Sequence, residues 1–184
     1  FQVGSEDWSN VTFVGQEIKW KQIQTNQGLV DYIAVDQKKA IDALEEVLVE
    51  KGTPDDKKCE PGMHTAFRSA LSMLNWLQSR TQFQVCYKFS RSASASASPT
   101  IADVKTLNKT IRQLRQNPVT LRFWKLRGPL RLIGYPDASY RNNEDKSSQR
   151  AQVSFLAEPR DRKSTSGNSY GSLIDYESQK IKRT

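Results

Sequence analysis

The side chains with the greatest chemical potential are one carboxylate, Asp137, and a set of cations ahead of it. Leu130 to Tyr140 reads Leu-Arg-Leu-Ile-Gly-Tyr-Pro-Asp-Ala-Ser-Tyr, and a second apolar run, Ala151 to Glu158, returns after a polar stretch, 141 to 150. A carboxylate on a strand inside a sheet is costly unless it pairs or holds a metal. Asp137 is therefore the candidate catalytic and metal-binding residue; the plainer alternative is a surface turn carboxylate. Upstream, Val104, Leu107, Ile111 and Leu114 recur at helical spacing, and Lys105, Lys109, Arg112 and Arg115 lie away from that stripe. The only acid near them in sequence is Asp103. Four cations on one helix flank suit a phosphate backbone, with a solvated face as the alternative.

Other chemistries are excluded by composition. His64 is the only histidine, which removes histidine-based zinc sites and Ser-His-Asp triads. Two cysteines, Cys59 and Cys86, are too few for a disulfide framework and read as reduced thiols. There is no apolar run of membrane-spanning length and no signal-peptide pattern, so no membrane partner is expected. An intracellular location, cytoplasmic or nuclear, is expected instead.

The chain has 184 residues, 36% hydrophobic residues and a mean hydropathy of −0.69. The first residue is Phe1 and the last is Thr184, and both ends look cut, as in a fragment of a longer polyprotein or a degraded reading frame. The net charge of +8 is uneven. Residues 1–60 hold seven Lys and twelve acids, a balance of −5; residues 61–184 hold 21 Lys or Arg and eight acids, a balance of +13. That asymmetry suggests a polyanion partner for the later part.

These residues need elements to position them. Alternation from Val11 to Trp20 predicts a strand, with Gly15 as a bulge or close approach. Asn26-Gln27-Gly28 predicts a turn and 29–35 a returning strand, making a β-hairpin. Asp36 is a candidate N-cap for an amphipathic helix running to about Val49. Phe67, Ala70, Leu71, Leu74 and Leu77 predict a second helix. Phe83, Cys86, Tyr87 and Phe89 predict a third, ending in a Ser-Ala tract, 92–98, that reads as a spacer. Pro99 in a first turn, with Ser98 or Thr100 as cap, opens the basic helix. Asn117-Pro118 ends it. Residues 119–124 predict a strand, and 130–137, 151–158 and 169–180 predict an antiparallel meander. Pro159 to Asn168 reads as a polar loop.

Several segments in order resemble the Pol polyprotein of copia-type retrotransposons. Phe67 to Leu77, Phe-Arg-Ser-Ala-Leu-Ser-Met-Leu-Asn-Trp-Leu, resembles the family's "YRS-x-I/L-G-x-L-x-Y-L" helix, and Phe89-Ser90-Arg91 its "LSRF" piece. Ile111 to Arg115 resembles "RVLRYLKG", and Leu132 to Tyr140 resembles "L-x-GYSDADW", the opening strand of ribonuclease H. Val11 to Ile18 is similar to the "KYFLGIEI" hairpin that grips the primer end, and Leu173 to Lys180 to "ISWKSKKQ". Residues 145–150 occupy the place of "DRKSTSG"; the literal copy at 161–167 lies after the second strand and is read as chance.

The resemblance implies an α+β chain: a primer-grip-like β-hairpin at the end of the polymerase palm (1–35), a thumb-like bundle of about four amphipathic helices (36–117), and a partial antiparallel ribonuclease-H-like sheet (118–184). It implies binding of RNA–DNA template–primer, with the remainder of the Pol polyprotein as a further partner. Phe13 and Gly15 would position the primer terminus. Lys105, Lys109, Arg112 and Arg115, with Arg68, Arg80, Lys88 and Arg91, would meet phosphates. Asp137 would bind one Mg2+ in the complete enzyme. The family's paired polymerase aspartates would precede residue 1 and its second ribonuclease H carboxylate would follow residue 184. Two-metal hydrolysis needs several carboxylates, so catalysis by this chain alone is not expected. The alternative is a nonenzymatic nucleic-acid-binding or interaction module derived from such an element.

Overall fold

A computed structural model of the chain describes residues 9–25, 28–141, 146–158 and 171–181. Residues 26 and 27 of the expected turn, Asp145, the polar loop and the 161–167 copy lie outside the described residues. The chain is mixed α+β, with antiparallel pairing and four α-helices among the described residues. It divides into two compact units. One joins the residues up to Gln37 to those from Thr120 to Glu177; the other runs from Lys38 to Val119 and includes the last residues from Ser178.

In the first unit the expected opening strand is two strands. β1 (Asn10–Phe13) and β2 (Gln16–Thr25) pair with Phe13 opposite Gln16, so Val14 and Gly15 form a two-residue turn. Both have positive φ, 47° and 69°, the conformation that matches the right-handed twist of a hairpin. Gly15 is thus a turn residue and not a strand bulge. β3 (Gly28–Asp36) pairs with β2, as expected of a returning strand. β4 (Leu121–Trp124) then pairs with β3, Val35 facing Leu121, and completes a sheet in the order β1-β2-β3-β4. Sequence proximity had grouped this strand with the later ones, but backbone pairing joins it to the first sheet. A second sheet follows in the order β5-β6-β7, from β5 (Arg131–Ser139), β6 (Ser148–Ala157) and β7 (Gly171–Ile181).

The second unit is helical. α1 (Lys38–Ala43) is only six residues long, and Asp36, the expected cap, is the last residue of β3. The expected continuation to Val49 fails because a partner claims its backbone. The N–H of Val47 donates to Asn108 Oδ1 at 2.9 Å, and Asn108 Nδ2 donates to the Val47 carbonyl at 2.8 Å. The Arg115 guanidinium donates to the Leu44 carbonyl. These bonds replace those that further helical turns would make. Leu44 and Val47 still reach the core, while Leu48 is 89% exposed.

α2 (Pro61–Arg80) buries the expected stripe of Phe67, Ala70, Leu71, Leu74 and Leu77. A 3-10 turn, Phe83–Val85, leads into α3 (Cys86–Ser94), which absorbs the start of the Ser-Ala tract and buries Ser92. α4 (Ile101–Gln116) has Thr100 as N-cap in a capping box with Asp103, so Pro99 precedes the cap and is not in the first turn. The carbonyls of Lys57 and Asp55 accept from the N–H groups of Ile101 and Ala102 at 2.9 Å each. The polar linker thereby satisfies donors that every helix start leaves open. Ile41, Leu44, Phe67, Leu74, Leu77, Val104, Leu107, Ile111 and Leu114 form one core, each large side chain contributing about 1.5–3 kcal/mol.

Candidate nucleic-acid interface

The hairpin β1–β2 places Phe13, 64% exposed, beside Val14, 60% exposed, and Gly15 at its tip. An aromatic and a β-branched side chain are held in solvent by a turn that Val14 adopts at positive φ. That conformation is disfavoured for a β-branched residue.

The basic flank of α4 is largely engaged within its own unit. Lys105 Nζ lies 2.6 Å from Asp55, and Arg112 lies 2.5 Å from Glu46. Arg115 lies 3.9 Å from the same glutamate. Local sequence shows no acid near these cations because their partners come from residues 46 and 55. Lys109 is exposed and has no ion-pair partner among the described residues. Lys105 and Asp55 are both exposed, and such a pair contributes only about 0–1 kcal/mol, whereas Glu46 is half-buried. On α2, Arg68 and Arg80 are exposed, without an ion-pair partner among the described residues. Lys88 is half-buried and donates to Gln113 Oε1, and Arg91 is half-buried.

Asp137 sits on β5, opposite Ala151 of β6, and is exposed. Solvent hydrates its carboxylate, so the desolvation cost that motivated a metal is absent. Asp175 accepts from Gln152 Nε2 at 3.1 Å, and Glu177 lies 3.5 Å from Arg150. Gln152 and Arg150 flank Ala151 on β6 and so project from the face opposite Asp137. Among the described residues no three His, Cys, Asp or Glu side chains converge. The described residues therefore do not by themselves fit a two-metal centre.

A constellation that local sequence conceals lies on the first sheet. Register aligns Lys21 with Tyr32 and Tyr32 with Trp124, and in the next row Lys19 with Ala34 and Ala34 with Arg122. The Arg122 guanidinium lies 5.6 Å from the Tyr32 ring centroid, and the Tyr32 and Trp124 rings are 4.9 Å apart at 43°. Lys19 binds Glu17 at 2.5 Å, and that hydrogen bond raises the pKa of its ammonium. The sequence signal was present as the alternations Lys19-Trp20-Lys21 and Arg122-Phe123-Trp124. Nothing in one dimension says that these two segments share a sheet.

No helix among the described residues is long and apolar enough to cross a membrane. The chain matches no protein-family model, no curated protein and no solved structure.

Proposed function

We propose that this chain is a segment of a copia-type retrotransposon reverse transcriptase and ribonuclease H, and that it binds RNA–DNA template–primer without cleaving it alone. The observation that carries the reading is the set of cations left uncommitted: Arg68, Arg80 and Lys109 stay exposed without ion-pair partners among the described residues. They stand on helices that lie, in chain order, between an exposed hairpin tip and the strand that carries Asp137. This succession supports a primer-grip-like hairpin, a thumb-like bundle and a partial ribonuclease-H-like sheet, although β4 departs from it by returning to the first sheet. The cations would hold phosphates without reading sequence. Phe13 and Gly15 would meet the primer terminus. Mg2+ belongs to the complete enzyme, where Asp137 would supply one ligand beside carboxylates from the rest of Pol.

The test is binding to an RNA–DNA hybrid across a salt series. Each phosphate neutralised makes the affinity fall more steeply with salt, and charge reversal at Arg68 and Lys109 should flatten that slope. Salt-insensitive binding, or none, would remove the reading. A binding module without chemistry is favoured by one observation, the separation of Asp137 from the engaged Asp175 and Glu177. Asp137→Asn in a full-length Pol protein decides between the two: ribonuclease H cleavage that survives the change removes the metal-ligand role.

A further inference from the structure

We infer that the face of the first sheet carrying Lys19, Lys21, Tyr32, Arg122 and Trp124 is a binding site for unpaired nucleotides of a single strand. This rests on the nucleic-acid reading above but assigns a different ligand to a different surface. The hairpin tip and the helix cations address a duplex and its phosphates; this face addresses a base.

The geometry is specific to stacking. Arg122 is exposed, and its guanidinium already lies over the Tyr32 ring. The guanidinium therefore presents a planar cation beside that ring. Bases stack on such planes and on aromatic rings, and the contact is open only to a base whose own face is free. In a duplex both faces of an interior base are occupied by its neighbours, so the site selects a single strand. Tyr32 and Trp124 are half-buried, so these rings are anchored in the sheet while part of their surface meets solvent. Trp124 is further fixed by its backbone N–H, which donates to Ser172 Oγ at 3.0 Å.

Charge completes the site. Lys21 heads the aromatic row, is exposed, and has no ion-pair partner among the described residues. Lys19 heads the adjacent row and is held by Glu17. Between Lys19 and Arg122 stands Ala34, only 2% exposed. The layout is thus a stacking pair beside a free ammonium, which fits a base and the phosphate next to it.

The experiment measures fluorescence anisotropy of a labelled 12-nucleotide oligo(U) and of a 12-base-pair RNA–DNA hybrid, with wild-type protein, Lys21→Glu and Arg122→Gln. Wild type is expected to bind both probes. Arg122→Gln should weaken oligo(U) binding by about five- to 150-fold, the range of one base–aromatic stack, with hybrid binding unchanged. Lys21→Glu, a change at an exposed position, should weaken oligo(U) binding and flatten its dependence on salt, because one fewer phosphate is neutralised. If wild type binds the hybrid but not oligo(U), or if Lys21→Glu binds oligo(U) like wild type, the inference fails while the hybrid-binding reading stands. If wild type binds neither probe, both fail.

Discussion

Replacing Asn108 tests the account of why α1 stops early. Its amide closes a two-bond ring with the backbone of Val47, at 2.9 and 2.8 Å, and Asn108 is only 7% exposed. Asn108→Leu removes both bonds and leaves the Val47 N–H and carbonyl without these partners. Two net hydrogen bonds amount to about 2 kcal/mol, and the stranded groups raise the total to about 2–4 kcal/mol. In urea, with a slope of about 2 kcal/mol/M, the midpoint of the helical signal at 222 nm should fall by about 1–2 M. Asn108→Asp sharpens the test. Its ionised form still accepts from Val47 N–H but sets an oxygen against the Val47 carbonyl. Its protonated form restores both bonds. Burial raises that carboxyl's pKa in the folded state, so the variant's deficit should shrink as pH falls and grow as pH rises through the raised folded value. An Asn108→Leu midpoint within error of wild type, or an Asn108→Asp deficit that ignores pH, would refute the reasoning.

Two further outcomes are expected. Val14→Asn should stabilise the first sheet by about 0.5–1 kcal/mol, because asparagine tolerates positive φ and valine does not; little burial is lost at a residue 60% exposed, and a lower urea midpoint would contradict the turn assignment. In a thiol-reagent time course at pH 8, Cys59 should react before Cys86. Burial pushes the Cys86 thiol up to about 11, and its sulfur donates to Gln78 Oε1 at 2.9 Å. Burial also raises Cys59, but it is the more exposed of the two. Equal rates would mean that α3 opens faster than the reagent attacks.

The periodic elements were legible because periodicity reports burial directly. The α2 stripe and the α4 stripe each follow from one buried face. What could not be read from local sequence depended on distant partners. Nothing near Val47 announces that Asn108 will bind its backbone, and nothing near Arg112 announces Glu46. The charge asymmetry read from the sequence is partly consumed in the same way, since Glu46 and Asp55 of the acidic segment engage cations of the basic one. For Asp137, position on a strand was legible but exposure was not. Exposure depends on whether a strand is covered, and β5 lies at the edge of its sheet.

The proposed stacking row depends on a pairing between strands that are far apart in the chain. β3 and β4 are neighbours in the sheet, yet the whole segment Lys38 to Val119 separates them in sequence. Pairing Val35 with Leu121 brings the two ends of that insertion together, and closing a long flexible loop has an entropic cost that grows only slowly with length. A folded insertion whose exit is fixed reduces the freedom that must be lost. Gln82, fully buried, supplies such a fixture: its Oε1 accepts from Val119 N–H at 2.9 Å, and its Nε2 donates to the Val119 carbonyl at 2.8 Å. Asn108 performs the same bidentate operation on Val47, after the chain has entered the helical unit. Two side-chain amides thus hold the backbone near where the chain enters and where it leaves. The row of Lys21, Tyr32 and Trp124 exists only when β4 is in register, so the stacking surface depends on a fold that local sequence does not encode.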